Sequence, residues 1–459
     1  MNAPTSQQSP LHEHDQNMAS KYGLNDMPPI PTAFPLAVQH LLAMFVGNAT
    51  PPLLVATALG FATGETTLLV QLAMVISGIT TLLQTIGIGP IGARLPVMQG
   101  TSFAFLVIAI PIAQEFGLAA VFGGALIAGV FQVFFGTTLR WIAKFFPPFV
   151  CGIIILIIGI SLIPNAIDYA AGGGPARAAG TLGAWHHFAI AGLVVLVIII
   201  CSQFGKGFIS VAAVLMGLVV GYIVAAFAGM VDLTPIAEAG WFMVPTPLEF
   251  GLSFHTTAII AIVLLALASS VESLGDLTAV AKTGIGRSPT PRELSGGVVA
   301  DGIGTSLGAL FSAMPNTTFS QNTGVIALTG VVSRWVVAMA GGLLLCAGLI
   351  PKIGAIFSTI PYPVLGGAVL VMFSMVAAAG IQVIAHEVLD RRALLILAVS
   401  LGLGLGLSLV NDDAIASIPD DVRLLLTSGI VPAMFAAVIM NAVIPRKLPP
   451  LEERAKELA

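Results

Sequence analysis

The chain has 459 residues, 57% of them apolar and 9% charged, with a mean hydropathy of +0.99 and a formal net charge of -4. That composition excludes an ordinary soluble enzyme and points to an all-α polytopic membrane protein whose solvent is the bilayer. The small charge is spread over the loops, which argues against a nucleic-acid partner.

In chain order, residues 1–31 are polar and lack the basic-then-apolar order of a cleavable signal, so they are expected to form a disordered cytoplasmic tail. A bilayer core of about 30 Å needs roughly 20 apolar residues per helix. By that measure fourteen segments follow, near residues 34–59, 65–88, 97–115, 118–142, 147–164, 186–203, 207–230, 254–283, 294–313, 317–332, 333–350, 361–385, 392–410 and 424–445. Residues 446–459 form a second tail. With both termini in the cytoplasm, all of the 18 Lys and Arg except Arg177, Lys352 and Arg423 fall on the inner side, as the positive-inside rule requires of a multi-pass inner-membrane protein. Cys151, Cys201 and Cys346 stand in apolar contexts without paired spacing and read as small buried hydrophobes.

The third and tenth segments share a texture. "QGTSFAF" begins at Gln99 and "NTTFSQN" at Asn316, and each puts a hydroxyl-rich entry before an apolar run. Thr317 and Thr318 favour extended backbone. A helix from Gln321 to Gly330 would rise about 15 Å, half of the bilayer, and so start at mid-depth. Its free N–H groups need acceptors, and Ser320, Asn322 and Thr323 are suitable caps or ligand groups. Short interrupted segments in matching places mark a midplane binding site, so this polar run is expected to line a wet cavity.

Few ionisable groups fall inside the segments, and each is a functional candidate. Glu272 and Asp276 are four residues apart, on one helical face. Either binds a ligand or proton, or serves as a hydrogen-bond partner for a neighbouring helix. Asp301 lies among small residues that allow close packing, as a proton-coupling group or a buried link. His40 is a proton gate or a packing element. Phe103 and Phe319 end the matching units, and rings opposed across a cavity could sandwich a flat heteroaromatic ligand.

"QNTGVIALTG", Gln321 to Gly330, resembles the signature of the nucleobase-ascorbate transporter family: an acid, Gln or Pro, then Asn, any residue, Gly, four residues and Thr. The likeness extends to "QHLLAMFVGNATPPLL", "VESLGDLTA", "VVADGIGTSLGAL" and "IPYPVLGGAVLVMFSMVAAAGI", and is strongest to bacterial xanthine and urate permeases. The resemblance implies two inverted seven-segment repeats with short strands in segments 3 and 10. Residues 32–145 and 253–350 would form a core domain. Residues 146–252 and 351–445 would form a gate domain, through which homodimers associate. It implies that Glu272 and Gln321 hold the base, while His40, Asp276, Asp301 and Asn322 serve architecture, affinity or proton linkage.

Uracil-type relatives carry Glu at the position of Gln321 and His at that of Asp276, so this chain looks purine-type. An amide both donates and accepts, matching a purine's adjacent carbonyl and N–H. Ser102 stands where some xanthine permeases have Asn, which leaves room for the extra oxygen of urate. The expected activity is proton-coupled import of xanthine and urate, with substrate-binding groups Glu272, Gln321, Phe103, Phe319, Ser102 and Ser320. The alternatives are an anion exchanger of the same architecture, a uracil permease, or a membrane enzyme or sensor for purines. No nucleophile triad, metal cluster or phosphate loop is apparent, so neither enzymatic activity, nor a metal, nor a cofactor beyond the coupling proton is expected. The expected partners are a purine, membrane lipid and a second copy of the chain.

Overall fold

The computed structural model describes residues 22–142, 147–319 and 321–445. Ser320, the first 21 residues and the tail 446–459 lie outside them. The first half contains α1 (Ile30–Ala58), α2 (Thr63–Ile86), strand β1 (Gln99–Thr101), α3 (Leu106–Phe116), α4 (Leu118–Ile142), α5 (Pro148–Ala170), α6 (Trp185–Phe204) and α7 (Ala213–Phe227). The second half contains α8 (Thr256–Val280), α9 (Pro291–Leu310), β2 (Asn316–Thr318), α10 (Gln321–Thr329), α11 (Arg334–Gly348), α12 (Tyr362–Ala385), α13 (Arg391–Ser408) and α14 (Ile430–Val443).

The molecule is a mostly helical integral membrane protein. Among the described residues, eight helices are long and apolar enough to cross a bilayer; the number is nine if α11 and the short helix Pro351–Ser358, bent by 80°, count as one. Phe103–Phe116, Ala213–Phe227 and Ile430–Val443 are shorter apolar helices. Only 28% of the apolar window of α6 and 22% of that of α13 is buried within the chain, against 78% for α2, so most of the apolar surface of α6 and α13 points outward.

Glycines let the inner helices touch backbone to backbone. A Cβ on Gly129 of α4 would sit 2.6 Å from the carbonyl oxygen of Gly302 in α9, and one on Gly302 equally close to that of Gly129. Gly78 of α2 and Gly341 of α11 make the corresponding contact, with a Cβ on Gly78 at 2.8 Å from the Gly341 oxygen. Such approaches replace the missing hydrophobic drive between helices in lipid with dispersion contact.

Several expectations need correction. Residues 22–29, read as part of a disordered tail, are held in place: Tyr22 bridges Val331, Val332 N donates to Tyr22 O at 3.1 Å, and Arg334 N donates to Leu24 O at 3.1 Å. Backbone groups at the α10–α11 junction, outside either helix's own ladder, supply partners that polar composition does not reveal. The segment 424–445 divides into a short helix Asp420–Thr427 and α14, because Gly429 turns the chain at φ 71°. Cys151 and Cys201 are half-buried and Cys346 is exposed, so lipid rather than protein supplies part of their apolar surroundings.

Candidate functional site

β1 and β2 pair antiparallel, with Gln99 opposite Thr318, Gly100 opposite Thr317 and Thr101 opposite Asn316. The ladder continues beyond the strands through Ser102 N to Pro315 O (2.9 Å) and Phe319 N to Met98 O (3.0 Å). All six strand residues are buried. Two three-residue strands have little stability of their own, and the surrounding helices hold them by side chains. The first N–H of each strand donates to a threonine hydroxyl: Gln99 N to Thr81 Oγ1 of α2 at 2.9 Å, and Asn316 N to Thr305 Oγ1 of α9 at 3.2 Å. Asn48 of α1 caps the other end of β1, its Oδ1 accepting from Thr101 N (2.8 Å), Thr101 Oγ1 (3.1 Å) and Ser77 Oγ (2.8 Å).

Behind β2 lies a buried polar network. Ser269 Oγ of α8 donates to Thr317 Oγ1 at 3.1 Å, Thr317 Oγ1 meets Ser273 Oγ at 3.2 Å, and Ser273 Oγ donates to Asp301 Oδ2 of α9. Thr318 Oγ1 donates to the other oxygen of Asp301 at 3.4 Å and itself accepts from Gln99 Nε2 at 3.0 Å. Ser269, Ser273 and Asp301 are wholly inaccessible.

The sequence candidates fall into three groups. Asn322 and His40 meet directly: Asn322 Nδ2 lies 2.9 Å from His40 Nδ1 and donates to His40 O at 3.2 Å, joining α10 to α1. Asp301, Glu272 and Asp276 lie close enough to repel one another, with Glu272 and Asp276 half-buried on α8 and making no hydrogen bond to another described residue. Gln321 is exposed at the first position of α10, a few residues beyond β2. The two phenylalanines pack apart. Phe103 meets Phe373 of α12 edge-on with ring centroids 5.4 Å apart, whereas Phe319 lies over Gly100 and Gly47. Ser102 is buried with its Oγ unpartnered, as are Gln99 Oε1 and Asn322 Oδ1.

Asn48, Ser77, Thr81, Ser269, Ser273 and Thr305 are the polar contributors that sequence reading did not single out. Hydroxyls inside apolar helices commonly bond back to their own helix, as Thr80 does to Ile76 O at 2.8 Å and Ser270 to Ala266 O at 2.7 Å. Nothing in the order of residues separates these from their neighbours that reach across; Asn48, an amide deep in an apolar helix, carried the one available signal.

Chemically, the arrangement offers amides and hydroxyls that both donate and accept, three carboxyls and the imidazole of His40, with no lysine or arginine among its described residues; the ion pairs Arg177–Asp168 and Arg287–Glu293 lie in loops or at helix ends. It suits a neutral or weakly acidic polar ligand better than a permanent anion.

A family model described as "Permease family" (Xan_ur_permease) matches residues 31–412. CPE0397 of Clostridium perfringens, whose name assigns it provisionally to the purine permeases, is 39% identical over 426 residues, covering 92% of each chain. Xanthine permease XanP of Escherichia coli K12 is 35% identical over 444 residues, 94% of this chain and 96% of that one. Uric acid permease PucJ of Bacillus subtilis is 36% identical over 412 residues, 89% of this chain and 91% of that one. Among solved structures, the transmembrane domain of the cyanobacterial bicarbonate transporter BicA superposes with a TM-score of 0.56 at 17% identity, covering 91% of this chain and 98% of that one, a likeness of fold. By its sequence, this chain belongs to the nucleobase-ascorbate transporter family of membrane permeases.

Proposed function

We propose that the chain is a proton-coupled importer of purine bases, taking xanthine and urate across the inner membrane by movement of a core domain against a gate domain. The observation that carries this reading is the meeting of β1 and β2, which brings the starts of two short helices together against α8, the helix that bonds Thr317 through Ser269 and carries Glu272, with the exposed Gln321 following β2. Gln321 would pair with adjacent carbonyl and N–H groups of the base, and Glu272 would accept from a second N–H. The buried, unpartnered hydroxyl of Ser102 would leave space for the additional oxygen of urate. Relatives named as xanthine and uric acid permeases support the substrate class. Proton coupling would fall to Glu272, His40, Asp276, Asp301 and Asn322, none of which has a fixed positive charge beside it.

The inverted-repeat arrangement of fourteen segments draws support from the packing. Exchanging each helix for the one seven places away carries α1 on α2 to α8 on α9, α6 on α7 to α13 on α14, and α2 on α11 to α9 on α4, and all of these pairs are in contact. α5 on α12 maps to itself. Residues 32–145 with 253–350 would then be the core, and residues 146–252 with 351–445 the gate and the homodimer surface, with both termini cytoplasmic.

The test is uptake of radiolabelled xanthine, with urate, hypoxanthine, guanine and uracil as competitors and with or without a protonophore. Urate should displace xanthine, uracil should not, and the protonophore should abolish accumulation. The fold likeness to a bicarbonate transporter favours a second reading, anion exchange, since helix N-termini bind anions well. Uptake of labelled bicarbonate or sulfate without purine uptake would establish that alternative.

A further inference from the structure

Asp301 is a completely buried carboxyl that accepts from the hydroxyls of Ser273 and Thr318 and has the side-chain amide of Gln99 beside it, a group that also carries both a donor and an unpartnered acceptor. That choice of partner matters. Backbone N–H groups or an arginine can only donate, and would commit the carboxyl to its ionised form; a hydroxyl donates or accepts as its hydrogen rotates. The pocket therefore satisfies Asp301 with or without a proton.

From this we infer that Ser273 and Thr317 form a hydroxyl relay, through which the protonation state of Asp301 sets the direction of hydrogen bonding at strand β2. With Asp301 ionised, Ser273 donates to its Oδ2, and Thr317 donates to Ser273 across 3.2 Å. When a proton binds Oδ2, the new O–H donates to Ser273 Oγ. Ser273 then turns its own hydrogen to Thr317 Oγ1, which already accepts from Ser269 at 3.1 Å. The Thr317 hydrogen is thereby released for a new acceptor, such as a carbonyl of a molecule bound beside the strands. No proton passes along the chain: each hydroxyl keeps its hydrogen, and the incoming proton stays on the carboxyl. Ser273 and Thr317 are thus positioning residues.

The ionisable groups that face Asp301 are Glu272 and Asp276 of α8. The middle turns of α2 and α4, which pack on α9, carry none, and neither do the two strands. The inference rests on the transporter reading only for the identity of the released hydrogen's acceptor.

Infrared difference spectra of the purified full-length protein, recorded as the pH is stepped with no purine present, test the relay, with Asp301→Asn identifying the carboxyl band. Thr317→Val, which alters no atom in contact with Asp301, should move the midpoint of that band by about tenfold in proton affinity, a usual size for coupling between sites. Thr317→Ser and Ser273→Thr retain the hydroxyl and should keep the wild-type midpoint. Should Thr317→Val misfold, Ser269→Ala, at the far end of the chain, should move the midpoint in its place. An unmoved midpoint in whichever of these two proteins folds overturns the relay, as does the absence of any titrating band that Asp301→Asn removes. Xanthine binding to the same preparations separates the two readings: a moved midpoint without xanthine binding by the wild type leaves the relay standing and rejects the purine assignment.

Discussion

Gly100 is the residue on which the strand pair most depends for its shape. A Cβ there would lie 2.6 Å from the tip of the buried Phe319 ring, which also abuts Gly47, where a Cβ would come within 3.0 Å. With the ring packed against two backbones, Gly100→Ala should cost about 1–3 kcal/mol of overpacking. The expected outcome is xanthine uptake reduced by roughly fivefold or more with protein still in the membrane, since each 1.4 kcal/mol corresponds to about a factor of ten; unchanged uptake kinetics would refute this account of the ring's seat. At the same scale, sequence reading recognised Gln321, Asn322, His40 and the three acids because polar groups in hydrocarbon stand out. It could not see that Asn322 and His40 bond each other, since 282 positions separate them. Nor could it separate Phe103 from Phe319: identical local motifs deliver one ring to Phe373 and the other onto two glycines.

Among the elements, α9 begins with a capping box that also answers to pH. Thr290 Oγ1 accepts from Glu293 N at 3.2 Å, the Glu293 carboxylate accepts from Thr290 N at 2.7 Å, and Arg287 donates to both oxygens of Glu293 at 2.8 and 2.7 Å. The hydrogen bonds from Arg287 are the largest influence holding the Glu293 carboxyl below the usual carboxylate range; burial, next in size, opposes them, and the hydrogen bonds from Thr290 add to the lowering. A depressed carboxyl stabilises the folded state fully above its unfolded value, and that stabilisation is lost as pH falls through the lower folded value. Glu293→Gln should therefore lower thermal stability in detergent at neutral pH, by about the 1 kcal/mol typical of a cap, and the difference from wild type should close in acid. A gap of the same size at both pH values would contradict the electrostatic part of the argument. The sequence reading singled out neither the Thr290–Glu293 cap nor the division of residues 424–445, in the second case because a single glycine in an apolar run reads the same whether it continues a helix or turns it.

For the whole molecule, the placement of charge predicts which loops face which compartment. Trp241, 75% exposed in the loop between α7 and α8, is expected outside, and Ser288, exposed between α8 and α9, inside. In a background without native cysteines, Trp241→Cys should react with an impermeant maleimide on intact cells, and Ser288→Cys only after permeabilisation. The opposite pattern would invert the orientation and, with it, the direction assigned to import.

Hydropathy and the scarcity of charge determined by themselves that this chain lives in a bilayer and is built of apolar helices, because hydrocarbon leaves the backbone few other ways to satisfy its polar groups. The motif of Gln321 to Thr329 likewise determined the family. Only the tertiary structure decided that residues 99–101 and 316–318 form one sheet, which hydroxyls leave their own helices to hold it, and that residues 22–26 bind the α10–α11 junction. The two strands, and residues 22–26 and the junction they bind, are hundreds of positions apart in the chain, and a serine or threonine has the same composition and hydropathy whether it bonds to its own helix or across to another.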